Sequence, residues 1–202
     1  MKAIILEEIG KYAIVEKPVP EIRRGNELLV KIDACSICGS DMHILSDPPG
    51  YPAAPGTTLG HEMVGTIVST GCEVTSFAVG DRIVCDNNIP CGHCYYCRSG
   101  HANMCEHVRC LGVNGDGFFA QYAVIPDASA YVIGPELPLD IAIFAEPLNC
   151  EMCIRDRPCT VYFRRSFRCI RVPSDRLCNA LRVQRTGSYG PDSGCTLCST
   201  EG

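Results

Sequence analysis

The sequence predicts a mainly β protein (α+β, with little helix), built as a small β-barrel over residues 1–150 and followed by a tail of different character at 151–202. Short apolar or alternating stretches recur along the first 150 positions, and Gly- and Pro-rich turn signals break them at close intervals. A cysteine-dense excursion between two of those stretches, at about 86–110, marks a lobe added to the barrel rather than part of its wall. The chain contains no internal repeat.

Taken in order, "KAIIL" and "KYAIVE" read as a hairpin around Gly10, closed by the Pro-rich "KPVPE". "ELLVKIDACSI" alternates, with Leu28, Val30, Ile32 and Ala34 on one face and Lys31 and Asp33 on the other. A helical turn, "SDMHILS", follows, and "DPPGYPAAPG" is too rich in Pro and Gly for regular structure. "EMVGTIVST" and "DRIVCD" are strands entered or left through Gly60, Gly71 and Gly80. Beyond the lobe, "FFAQYAVIP" and "AYVIG" complete the strand set, and "LPLDIAIFAEPL" opens a helical pattern.

With 202 residues, 46% apolar and 20% charged, the chain has the composition of a soluble globular protein, long enough for one domain with a full core or one domain plus a partial second. Charge at Lys2, Glu7, Glu8 and Lys11 interrupts the N-terminus, so no signal-peptide core is expected, and no apolar run reaches membrane-spanning length. A cytoplasmic location and no membrane partner follow as expectations. Residues 1–150 carry 9 Lys and Arg against 18 Asp and Glu, too acidic a balance for a phosphate-backbone partner. The tail carries 9 against 5, every base an Arg, without the aromatic interleaving of a nucleic-acid surface.

Sixteen cysteines would suggest a disulfide scaffold in a secreted protein. Under reducing conditions clustered thiols more often bind metal. In "CGHCYYCRSGHANMC", Cys91, Cys94, Cys97 and Cys105 have spacings that converge on one ion and would bridge each other only with strain. Four thiolates complete a tetrahedral zinc shell, and a full shell is structural, with no position left for substrate. His93, His101 and His107 are then solvent-facing lobe residues.

Catalysis must lie elsewhere, and "CSICGSDMH" and "LGHEMVG" are the candidates. Cys38 offers a thiolate, His61 an imidazole, Glu62 a carboxylate, and Glu146 in "FAEPL" a further carboxylate. Three ligands of mixed S, N and O type with one open position describe a catalytic zinc site, but spacing alone is a weak signal, since a lone His usually packs and a Glu usually faces water. "CSIC" lacks the βαβ context of a redox pair. "GVNGDG" has the wrong spacing for a dinucleotide loop and reads as a turn. Cys72, Cys85, Cys110 and Cys150 have no spacing partners and read as small core residues.

Six stretches in order, "CGSDMH", "GHEMVG", "GDRIV", the cysteine lobe, "FAQYAVIP" and "AEPL", make the chain resemble the zinc-dependent medium-chain alcohol and polyol dehydrogenases, sorbitol and threonine dehydrogenases among them. The resemblance spans residues 1–150 and implies a GroES-like catalytic domain with one structural zinc on Cys91, Cys94, Cys97 and Cys105. It further implies one catalytic zinc on Cys38 and His61, with Glu62 approaching or exchanging onto it and Glu146 as third ligand of the polyol-type branch. Ser40 would pass the alcohol proton outward, His43 would continue that relay, and Asp41 would orient the site. The implied activity is hydride transfer from a small-molecule alcohol or polyol to NAD or NADP, in a homo-oligomer assembled largely through a Rossmann domain.

After "AEPLNC" that pattern stops. Residues 151–202 hold nine Arg, no Lys and six Cys, and no strand–glycine loop–helix unit. The change resembles out-of-frame translation, and "MCIRDR" resembles sequencing-adapter read-through. A disordered Arg-rich extension and a second metal module around Cys195 and Cys198 are the other readings of this tail. With the Rossmann domain absent, the chain is expected to bind zinc without turning over alcohol and to lose the family's oligomer. The rival expectation is a non-catalytic zinc-binding module.

Overall fold

The computed structural model describes residues 1–149, so the tail, Cys150 included, lies outside the described residues. Strands β1 (Lys2–Glu8) and β2 (Lys11–Glu16) form the antiparallel hairpin, registered Lys2 to Glu16 and turned at Gly10. Ala3 and Leu6 face inward. Backbone bonds from Ile4 N–H to Phe119 O (2.8 Å) and from Leu6 N–H to Thr57 O (3.0 Å) fasten the hairpin to the rest of the molecule.

Five strands form the main antiparallel sheet: β3 (Glu27–Ser36), β4 (Glu62–Thr70), β5 (Arg82–Cys85), β8 (Tyr122–Pro126) and β9 (Ala130–Val132), in the order β8-β3-β4-β5-β9. Its two edge strands are consecutive in the chain, separated only by a 3₁₀ turn at Asp127–Ser129. A flat sheet of five strands would hold its edges about 19 Å apart. The step from Pro126 to Ala130 spans at most about 14 Å. The sheet is therefore curled toward closure, the expected barrel wall.

Alternation in β3 buries Leu28 and Val30 completely, and they meet Ile67, Ile83, Ile125 and Phe118 in the main core. Ile32 and Ala34 are only half-buried, because the β3–β4 ladder shifts register between them, as it does between Leu29 and Val30. Each shift is a bulge that bends the strand and increases its twist.

The lobe hangs from β6 (Asn88–Ile89) and β7 (Arg109–Cys110), a two-stranded ladder that closes its neck, and includes the short helix α2 (Tyr95–Arg98). Helix α1 (Gly39–Ile44) follows β3, and α3 (Leu139–Ala142) follows β9. The expected "LPLDIAIFAEPL" helix is broken: a turn at 143–144 separates α3 from a helical stretch at 145–149. "FFAQYAVIP" is strand only from Tyr122, since Phe119 instead bonds to β1. Cys85 and Cys110 are buried as expected, whereas Cys72 is exposed. It sits in the turn after β4, where no core element covers it. No helix among the described residues is long and apolar enough to cross a membrane.

"GVNGDG" is a turn, and its glycines permit a close approach of backbones. Gly112 has φ +85°, and a Cβ on Gly117 would stand 2.1 Å from Gly60 O. Gly117 N–H donates to Thr58 O and Phe118 N–H to Gly60 O, so the turn is stitched to the segment that leads into His61 and β4.

Candidate metal centres

In the lobe, Cys91, Cys94, Cys97 and Cys105 bring their sulfurs within 4.8 Å of one another. The Cys91–Cys97 and Cys94–Cys105 sulfurs are each 4.0 Å apart, roughly twice a disulfide bond. A tetrahedron of thiolates about 2.3 Å from zinc has edges of about 3.8 Å. Backbone N–H groups point into the cluster, from Cys91 and His107 to Cys105 Sγ and from Cys94 to Cys91 Sγ. The backbones of Cys97 and Glu106 pull the Cys94 thiol down to about 6, and that of Cys91 lowers Cys105. Desolvation pushes Cys97 up to about 12. Four thiols packed this closely cannot all ionise unless a cation compensates them, and the donor set suits zinc. His93, His101 and His107 are exposed, with His93 and His107 stacked on each other.

The second group lies where β3 ends and β4 begins. Cys38, His61 and Glu62 bring one ligand atom each within 4.8 Å of the others. The register explains why: Ser36 pairs with Glu62 at the last step of the ladder, and Cys38 comes two residues later, at the N-cap of α1. Asp41, in the first turn, accepts a hydrogen bond from the Cys38 N–H at 2.9 Å, the reciprocal half of a capping box. Its other oxygen lies 3.4 Å from His61 Nδ1, an ion-pair distance without hydrogen-bond alignment, so both atoms are buried and unpartnered. Asp41 first, then Cys38, hold the His61 pKa up to about 9 against desolvation. Ser40 Oγ stands 3.1 Å from His61 Nε2.

Glu62 is 4% exposed, and among the described residues no Lys or Arg forms an ion pair with it. A buried carboxylate, a thiol and an imidazole converging without a cation are a donor set that zinc fits. His43 is exposed, its carbonyl accepting from Ser46 Oγ and Gly50 N–H. Glu146 is half-buried in the helical stretch at 145–149 and does not join the Cys38–His61–Glu62 group. Its charge is felt instead at Cys110, whose thiol is raised by burial first and then by Asp86 and Glu146.

Residues 24–135 match the alcohol dehydrogenase GroES-like domain. The chain belongs to that family. The chain is 37% identical over 150 residues to L-threonine 3-dehydrogenase of Xanthomonas euvesicatoria pv. vesicatoria, covering 73% of this chain and 44% of the relative. It superposes on a protein of Sinorhizobium meliloti 1021 described as a zinc-binding dehydrogenase, bound to NADP, with TM-score 0.70 and 40% identity over 74% of this chain and 43% of the other. Galactitol-1-phosphate dehydrogenase from Escherichia coli gives TM-score 0.68 and 31% identity over 73% and 42%. The chain thus spans less than half the length of the proteins it matches, and it matches their N-terminal part.

Two further residues touch the second centre: Ser36, which carried no sequence signal, and Cys35, which the sequence offered only as part of "CSIC". Ser36 Oγ donates to Glu62 Oε2, and Cys35 Sγ donates to Glu62 O at 2.8 Å. Burial first, then the charges of Asp41 and Glu62, push the Cys35 thiol up to about 12, in keeping with its role as a donor to Glu62 O.

Proposed function

We propose that the chain is the zinc-binding catalytic portion of an NAD(P)-dependent dehydrogenase that oxidises a secondary alcohol, such as a polyol or the hydroxyl of threonine. The convergence of Cys38, His61 and Glu62, beside an Asp41 carboxylate that faces His61 Nδ1 at 3.4 Å, carries this reading. Zinc bound there would act as a Lewis acid on an alcohol oxygen, and the nicotinamide would take up the hydride. The Asp41 carboxylate fixes the His61 ring, leaving Nε2 on the Ser40 side. Ser40 Oγ is the first acceptor for the alcohol proton, and exposed His43, one turn further along α1, is its route to water. Glu62 supplies a third donor from the start of β4, and Glu146 would be recruited as a ligand only by a shift of the 145–149 helix.

The nicotinamide site is expected in the part of the relatives that this chain does not span, so this polypeptide is expected to hold zinc without turnover. The purified chain should carry two zinc ions, one of which is lost on Cys38→Ser, and should show no NAD+- or NADP+-dependent oxidation of threonine or sorbitol. One zinc per chain, unaffected by Cys38→Ser, would instead support a non-catalytic zinc module. Zinc-dependent turnover by the chain alone would overturn the expected inactivity.

A further inference from the structure

The end of β3 holds Glu62 at two points. Cys35 Sγ donates to the Glu62 carbonyl at 2.8 Å, and the Ser36 hydroxyl donates to the Glu62 carboxylate at Oε2. Both come from residues at the last two steps of the β3–β4 ladder, where Cys35 faces Met63 and Ser36 faces Glu62. Glu62 is buried, and Ser36 is the one side chain whose hydrogen bond to its carboxylate is observed among the described residues. A buried carboxylate with a single neutral donor is under-compensated, and its orientation rests on that donor.

We propose that Ser36 is a positioning residue for the Cys38–His61–Glu62 centre: its hydroxyl fixes the Glu62 carboxylate to the same segment that carries Cys38, two residues away, before any ion arrives. This rests on the reading of that centre as a metal site. Strand register places the backbone of Glu62, but a glutamate has three further rotatable bonds, and only a side-chain contact can select among its rotamers. With Ser36 in place, Cys38 and the Glu62 carboxylate are both tied to the segment at the end of β3, and the ion meets a partly ordered set. Without it the carboxylate must be ordered on binding, which lowers affinity. Loss of such an outer partner typically weakens metal binding about 10- to 100-fold.

The test uses the full 202-residue chain and cobalt(II) or zinc(II) alone as probe, titrated against a competing chelator. The mixed S/N/O centre and the four-sulfur lobe give distinguishable cobalt(II) spectra. Ser36→Ala should weaken the mixed centre about 10- to 100-fold and leave the lobe unchanged. Ser36→Thr, which keeps the hydroxyl, should restore affinity to within a few-fold. In a Glu62→Ala background, Ser36→Ala should cost nothing further, because the acceptor it orients is gone. Equal affinity of wild type and Ser36→Ala at the mixed centre would overturn the proposal while leaving the metal-site reading intact. A wild-type chain that binds cobalt only in the lobe would sink that reading and the proposal with it. Loss of both centres together, in Ser36→Ala and Ser36→Gly alike, would assign the hydroxyl to the fold rather than to the carboxylate, and would also overturn it.

Discussion

Gly117→Ala tests whether the glycine turn at 112–117 positions the entry to β4. The added methyl would sit 2.1 Å from Gly60 O, 2.5 Å from Gly112 Cα and 2.7 Å from Gly112 N. Ordinary non-bonded contacts begin at roughly 3.5 Å, so the two backbones must separate by more than about 1 Å. The opposing atoms are all main chain, so no side chain can rotate away. Overpacking of this kind costs about 1–3 kcal/mol. The separation also strains two backbone bonds, Gly117 N–H to Thr58 O and Phe118 N–H to Gly60 O, worth about 1 kcal/mol each. The expected loss is about 3–5 kcal/mol, a large part of a typical domain's stability. Gly39→Ala is the control, since a methyl there meets nothing within 4 Å. Urea unfolding of the zinc-loaded 202-residue chain, followed by circular dichroism, measures both. The Gly117→Ala variant should also lose metal from the centre at His61, the residue after Gly60. A loss below about 1 kcal/mol, or one no greater than the control's, would refute the packing argument.

Two further predictions concern separate regions. Cys94→Ser should abolish metal binding in the lobe and leave the β3–β4 centre loaded, as read by metal content with Cys38→Ser as the reciprocal variant. Asp116 takes the Thr58 N–H (2.8 Å) and the Lys17 ammonium (3.0 Å), and although burial alone would raise its pKa, these partners hold it below the ordinary value of 3.8. A depressed carboxylate stabilises the fold above its unfolded pKa and ceases to do so as pH falls through the folded one. Asp116→Asn should therefore cost about 1 kcal/mol in urea at pH 7, the ion pair being half screened by water, and the deficit should vanish in acid below the ordinary carboxylate range.

Much of this is legible because it is local in sequence. The lobe's four thiols converge within fifteen residues, and the strand faces of Leu28 and Val30 follow from alternation alone. What alternation misses are contacts between distant segments. The bulges that half-expose Ile32 and Ala34 depend on the partner strand, and the approach of Gly60 to Gly112 and Gly117 joins positions some fifty residues apart. Ser36 reads as one small residue among several near "CSIC", and only the register with β4 places it over Glu62. Cys72 departs from the expected burial because a thiol's preference for the interior says nothing about a turn with no element above it.

The lobe also bears on how the barrel comes together. Thirty-six residues separate the end of β5 at Cys85 from the start of β8 at Tyr122, and the β6–β7 neck falls within them. A metal-folded lobe draws Asn88 and Cys110 together and removes most of that length from the loop the unfolded chain must close. Each halving of a loop saves about 0.6 kcal/mol of chain entropy, too little to govern stability. It acts early, however, before β8 and β9 have found their edges and while long-range pairing is the slow step. An ion held well outside the barrel wall can thus hasten the closing of that wall.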